Sequence, residues 1–186
     1  MERKISVVGL GGSMAPTSST VAALKLALAG AEEAGAETRL FEISVLDLPM
    51  FVPGAEAPDS ARQLTDAVHE ADGLLWSSPV YHGTISGSFK NALDWLELLS
   101  DRDPPYLANK LVGLIGTAPG LQGLLAINTL ESVVSTLGGW PVPLLVPNPR
   151  IGQGFDEHLR ALGQEIVRAA RQFREEGRSD YDQRKA

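Results

Sequence analysis

Ser78-Pro79-Val80-Tyr81-His82-Gly83-Thr84-Ile85-Ser86-Gly87-Ser88-Phe89-Lys90-Asn91-Ala92-Leu93-Asp94-Trp95 decides the fold of this chain. The stretch follows an apolar run, Gly73-Leu74-Leu75-Trp76, that reads as a buried strand. It passes through a Pro/Gly turn and opens into helical spacing, with Phe89, Leu93 and Leu96 on one side. A strand that ends in small residues and feeds a helix leaves backbone N–H groups around a concave site, where open α/β sheets bind ligands. A second loop of this kind, Gly11-Gly12-Ser13 through Thr20, follows the apolar segment Ile5–Leu10. Together the two loops point to a flat ligand that carries a phosphate.

Working outward, strands and helices alternate. Ile5–Leu10 is a first strand, and Leu24, Leu28 and Ala31 mark a helix that Gly35 ends. Glu37–Ile43 is a second strand; Asp47–Pro58, with three prolines and a glycine, is a loop. Asp59 or Ser60 caps a helix that runs to about Ala71. The third strand is Gly73–Ser77, and the fourth is Leu111–Gly116, whose continuous apolar character places it between two covered faces. A loop of small residues, Thr117–Gly123, leads to a helix from about Leu124 to Leu137. Pro141–Val146 suits an edge strand, since proline cannot donate to a central ladder. A last helix carries Leu159, Leu162, Ile166, Ala170 and Phe173 at helical spacing. This alternation predicts an α/β three-layer sandwich with a parallel sheet of five strands. The flavodoxin-like strand order 2-1-3-4-5 fits, and it puts the ligand crevice between strands 1 and 3, where the two loops lie. Residues 1–176 form one domain in this scheme, and 177–186 a polar C-terminal tail.

Composition narrows the function. The 186 residues suit a single core. Lys and Arg total 16 against 23 Asp and Glu, a net charge of −7, which argues against nucleic-acid binding. No apolar stretch reaches the roughly 20 residues that span a bilayer, so no membrane association is expected. Met1-Glu2-Arg3-Lys4 runs straight into the first strand without a leader-like apolar region, and the expected location is cytoplasmic. There is no cysteine, and three scattered histidines have no metal-ligand spacing, so no metal site is expected.

The first loop places Ser13, Ser18, Ser19 and Thr20 just before or within the start of a helix, where unpaired N–H groups and the helix dipole attract an anion. Helix capping is the bland account of any one of these hydroxyls. The Gly-Lys-Ser/Thr end of a Walker loop is absent. Gly9-Leu10-Gly11 opens a dinucleotide fingerprint whose third position is Met14, while Glu42 stands where a ribose-binding acid would. A Rossmann-type NAD-binding protein therefore stays an alternative. His82 reads as a loop residue that contributes its backbone, and no catalytic side chain is assigned.

Ser78-Pro79-Val80-Tyr81-His82-Gly83, then Ser86-Gly87, Lys90-Asn91-Ala92 and Asp94-Trp95, resemble the NADPH-dependent FMN reductase family. The likeness extends to Gly12-Ser13…Ser18…Thr20 and Gly120…Gly123, and covers Ile5 to Val146. It implies a flavodoxin-like fold, FMN and NADPH (or NADH) as cofactors, and assembly as a homodimer or homotetramer. Ser13, Ser18, Ser19 and Thr20 would hold the FMN phosphate. Pro79, Val80, Tyr81, His82 and Gly83 would line the ribityl and ring groups, with Thr117, Gly120 and Gly123 closing the other side. Many members carry an arginine two residues after the first loop serine; Ala15 stands there in this chain. The implied activity is hydride transfer from a nicotinamide nucleotide to flavin and on to free FMN, a quinone or a similar small-molecule acceptor, or delivery of reduced flavin to a monooxygenase. Hydride chemistry of this kind belongs to the cofactor and needs no acid–base side chain. A flavodoxin-like electron carrier without its own nicotinamide reaction is the other alternative.

Overall fold

Uninterrupted apolar runs become the central strands, because both their faces are covered. The computed structural model describes residues 3–15, 17–148 and 154–183. In chain order the elements are β1 (Ser6–Gly11), α1 (Ser19–Glu33), β2 (Glu37–Glu42), α2 (Ile43–Leu46), α3 (Asp59–Glu70), β3 (Gly73–Tyr81), β4 (Thr84–Ile85) and α4 (Gly87–Asp94). They continue with β5 (Leu111–Thr117), α5 (Gly123–Thr136), β6 (Trp140–Pro141), β7 (Val146–Asn148) and α6 (Phe155–Gln183). The main path of the sheet is β2-β1-β3-β5-β6. Both β6 and β7 pair with β5 in parallel, at opposite ends of it.

Side chains alternate across the sheet as strand geometry requires. Val8, Leu74 and Leu114 face α3, α4 and α5 in a core with Leu64, Phe89 and Leu130. Their neighbours Val7, Leu75 and Ile115 face α1 and α6, and pack with Leu24, Leu162 and Ile166. Small residues let α1 and α6 touch: a Cβ on Gly163 would lie 1.9 Å from the Ala27 carbonyl oxygen. The three expected layers and the 2-1-3 start of the sheet are therefore present.

Five details differ from the sequence expectation. Neither Asp59 nor Ser60 caps α3: Pro58 stands at the N-cap, with no side-chain cap bond, and Asp59 is the first helical residue. The fifth strand is split into β6 and β7, because Pro143 cannot continue the ladder that Val142 N–H still joins at Val112. The third strand does not stop at Ser77 but runs to Tyr81, so Pro79 stiffens a strand and not a turn. Proline is tolerated there because β1 ends opposite Ser77, which leaves that side of β3 without a partner strand. The turn itself is His82-Gly83, with φ of +51° and +84°, which joins β3 to the short antiparallel β4. Two consecutive positive φ values in a two-residue loop are the geometry of a type I′ hairpin. Finally, the last helix passes through Gly177 to Gln183; glycine inside a helix costs only about 1 kcal/mol. Residues 184–186 of the expected tail lie outside the described residues.

Candidate functional site

At the carboxyl ends of β1, β3 and β5 the chain leaves an open cavity of about 380 Å³. The loop after β1 supplies Ser13, Ala15, Thr17, Ser18, Ser19 and Thr20; β3 supplies Pro79, Val80 and Tyr81; the turn after β5 supplies Thr117, Ala118 and Pro119. Gly12 starts the first loop at φ +112°, a conformation that side chains disfavour, and its N–H donates to the Ser77 carbonyl at 3.2 Å. Ser18 is the N-cap of α1: its Oγ accepts from Val21 N–H at 3.3 Å and from the Ser13 hydroxyl at 3.3 Å. The Ser19 and Thr20 amides belong to the first turn of α1, where a helix offers no internal acceptor.

Buried hydroxyls tie the three segments together. Thr20 Oγ1 and Thr117 Oγ1 lie 2.6 Å apart across the floor. Ser77 Oγ donates to the Thr20 carbonyl at 3.0 Å, and Thr117 Oγ1 lies 3.2 Å from the Ser78 carbonyl oxygen. Ser78 Oγ accepts from Ser86 N–H at 3.3 Å, which anchors the hairpin return. None of the described lining residues carries Lys, Arg, Asp, Glu or His. The wall is thus a set of neutral donors at a helix N-terminus, beside a flatter apolar edge formed by Pro79, Val80 and Pro119. That donor set suits a phosphate at one end and a planar ring at the other.

Residues 5–150 match the model of the family described as NADPH-dependent FMN reductase. The chain belongs to that family. Among its relatives are the NADPH-dependent FMN reductase ArsH of Acidithiobacillus ferrooxidans, 33% identical over 127 residues, and an NADPH:quinone oxidoreductase of Arabidopsis thaliana, 30% identical over 123 residues. The matches cover 66% and 64% of this chain, but 51% and 61% of the relatives. An oxidoreductase structure from Corynebacterium diphtheriae superposes with a TM-score of 0.73 at 18% identity, covering 89% of this chain and 96% of its own. A WrbA-like flavodoxin from Agrobacterium tumefaciens gives 0.68 at 18% identity, covering 92% and 99%. Both likenesses establish the fold, which is flavodoxin-like.

The expected site residues of this FMN reductase relative divide into two groups. Ser13, Ser18, Ser19, Thr20, Pro79, Val80, Tyr81 and Thr117 line one cavity. His82, Gly83, Gly120 and Gly123 do not line it. His82 and Gly83 are exposed at the hairpin tip, and nothing lies within 4 Å of a Cβ built on Gly83 or Gly120. Gly123 is buried where α5 meets β5, and a Cβ there would lie 2.5 Å from the Gly116 carbonyl oxygen. Its lack of a side chain serves helix–strand contact.

The helical half of the family-like stretch is structural. Asn91 is buried; its Oδ1 accepts from Phe51 N–H at 2.8 Å and its Nδ2 donates to the Pro49 carbonyl at 2.9 Å. Trp95 Nε1 donates to the same carbonyl at 3.0 Å, and its ring meets Phe51 edge-on at 5.2 Å between centroids. These two side chains pin the Asp47–Pro58 loop to α4, while Lys90 pairs with Asp94 one turn on. Ser77 and Ser78 went unassigned in the sequence, although two serines inside an apolar strand are a visible signal that buried hydroxyls have partners to meet. The fingerprint glycines have no turn role: Gly9 and Gly11 lie inside β1, where a Cβ would meet Leu28 at 2.8 Å and the Ser77 carbonyl at 2.6 Å.

Proposed function

We propose that this chain is an FMN-dependent NAD(P)H oxidoreductase that reduces free FMN, a quinone or a related small acceptor. The observation that carries the proposal is the single cavity that gathers the hydroxyl loop before α1, the carboxyl end of β3 and the turn after β5. Bound FMN would supply a ring that accepts hydride from a nicotinamide and returns electrons to an acceptor. Ser13, Ser18, Ser19 and Thr20, with the first amides of α1, hold the phosphate. Pro79, Val80 and Tyr81 support the ring edge, with Thr117 opposite. His82, Gly83 and Gly120, exposed beyond the lining, and buried Gly123 join the site only through main-chain groups. Tyr81, half exposed at 52%, leaves room on one face for a second planar molecule.

No side chain is asked to move a proton, since the lining holds no carboxylate, imidazole or ammonium group. The protein orients the reactants, and reacting atoms about 3–3.5 Å apart are enough for a near-attack arrangement. Residues 1–176 are the FMN-binding unit in this proposal. Assembly as a homodimer or homotetramer belongs to it too, supported by exposed Met50, Val52 and Leu98 beside an apolar groove of about 700 Å³. A cytoplasmic setting, where reduced nicotinamides are made, goes with the same reading. Among the described residues no helix is long and apolar enough to cross a membrane.

The test is steady-state oxidation of NADPH and NADH against free FMN and a quinone panel, with the absorbance of bound flavin followed in parallel. Turnover with parallel lines in double-reciprocal plots is expected, because nicotinamide and acceptor use one face in turn. Flavin binding without nicotinamide oxidation would convert the proposal to an electron carrier.

A further inference from the structure

We propose that Lys25 is the counter-charge for the flavin phosphate, and that Glu42 holds its ammonium group until the phosphate is bound. The inference rests on the phosphate assignment above and adds a residue outside the cavity wall.

The wall has a charge deficit. A phosphate monoester carries about −1.5 to −2 near neutral pH, and the described lining residues offer hydroxyls and amides without one cation. The chain as a whole is at −7, so the surroundings do not make up the difference. A second depression of about 230 Å³ abuts the cavity and shares Ala15 and Ser18 with it. Its far side is Lys25 and Glu42. Two other cations that border cavities are remote: Lys90 borders the apolar groove, and Arg168 a depression on α6, and neither space shares a residue with the phosphate loop.

Helix geometry aims Lys25 at the loop. It follows Ser18 by seven residues and Val21 by four, which sets all three on one face of α1. Side chains on a helix lean toward its N-terminus, so the lysine arm lies back over Val21 toward Ser18 and Ala15. The arm is 56% exposed, and its nitrogen lies 2.7 Å from Glu42 Oε1. An ion pair this exposed is weak, and Lys25 can exchange Glu42 for a more highly charged phosphate at little cost. Ala15, which borders both spaces, puts only a methyl group between them. Glu42 then has two effects: it keeps the cation ordered beside the empty site, and it competes for that cation.

Titration of the full chain with FMN and with riboflavin, which lacks the phosphate, tests this. Lys25→Met is expected to weaken FMN about five- to tenfold and to leave riboflavin within about twofold, as suits a partly exposed charge-assisted contact. Lys25→Arg is expected to stay close to the unaltered protein, and Glu42→Gln to tighten FMN without changing riboflavin. The FMN preference over riboflavin should also shrink as salt is raised, and should do so less in Lys25→Met. Equal losses for both flavins, or FMN affinity unmoved by Lys25→Met, would overturn the lysine's role while leaving the phosphate site in place. An unaltered protein that binds neither flavin would overturn the functional proposal and this inference together.

Discussion

At the amino ends of the strands, Asp72 accepts from Arg3 at 2.8 Å, from Ser6 N–H at 2.8 Å and from Arg174 at 3.1 Å, and Lys110 donates to the His69 and Ala71 carbonyls at the close of α3. At the carboxyl ends, the cavity wall has only hydroxyls, amides and apolar groups. The same sheet thus fixes charges among its strand starts at one end, while at the other the cavity wall is neutral and the nearest charges, Lys25 and Glu42, stand outside it. Asp72 is 12% exposed and Lys110 is buried deeply enough that desolvation lowers its pKa, so each needs the partners it has. Buried charges that satisfy one another leave nothing for a ligand to do. Hydroxyls that bond each other, as Ser13 with Ser18 and Thr20 with Thr117, stay satisfied when the site is empty and can turn toward an anion when it is filled. A bare cation kept in that wall would lack a partner whenever the phosphate was gone.

The largest effect tests whether close backbone packing sets the carboxyl end. A Cβ on Gly116 would lie 2.0 Å from the Gly123 carbonyl oxygen. Gly116→Ala should cost at least about 3 kcal/mol in urea denaturation, since backbone has to move; a melt like that of the parent would break the picture of α5 locked on β5. The amino end comes next. Asp72→Ala strips the partner from two arginines and the Ser6 amide, with an expected loss of about 2–3 kcal/mol. FMN affinity should hold in the material that remains folded. A parallel drop in flavin affinity would join the two ends that the comparison separates. Smallest is Ser18→Ala with Thr20→Ala, which should weaken FMN about tenfold with little change for riboflavin, and lower stability by about 1 kcal/mol through the lost N-cap. Calorimetric titration and thermal melts read the two effects separately, and unchanged FMN binding would place the phosphate elsewhere.

Much of the site was legible because its parts are local. Ser18 before an apolar helix and a Gly-Gly step after a strand each announce their geometry within a few residues. The position of Pro79 was misleading for a tertiary reason: whether a proline may stand in a strand depends on whether a neighbour needs its N–H, and β1 stops at Ser77. The contact of Gly123 with Gly116 was not legible, because a loop of small residues reads the same whether it makes room for a cofactor or for a helix. Asn91 and Trp95 resemble the family without a binding role, and their partners, Pro49 and Phe51, lie more than one element away in the chain, where no local pattern names them.

By itself the sequence determined the alternation of strands and helices, the hydroxyl-rich start of α1 and the family, since periodicity and helix-start chemistry act between near neighbours. The tertiary structure alone decided which hydroxyls meet, which glycines are contacts and that Lys25 meets Glu42. Thr20 and Thr117 are 97 residues apart in the chain and 2.6 Å apart in space. Such a meeting follows from the register of a whole sheet, and no window of sequence contains it.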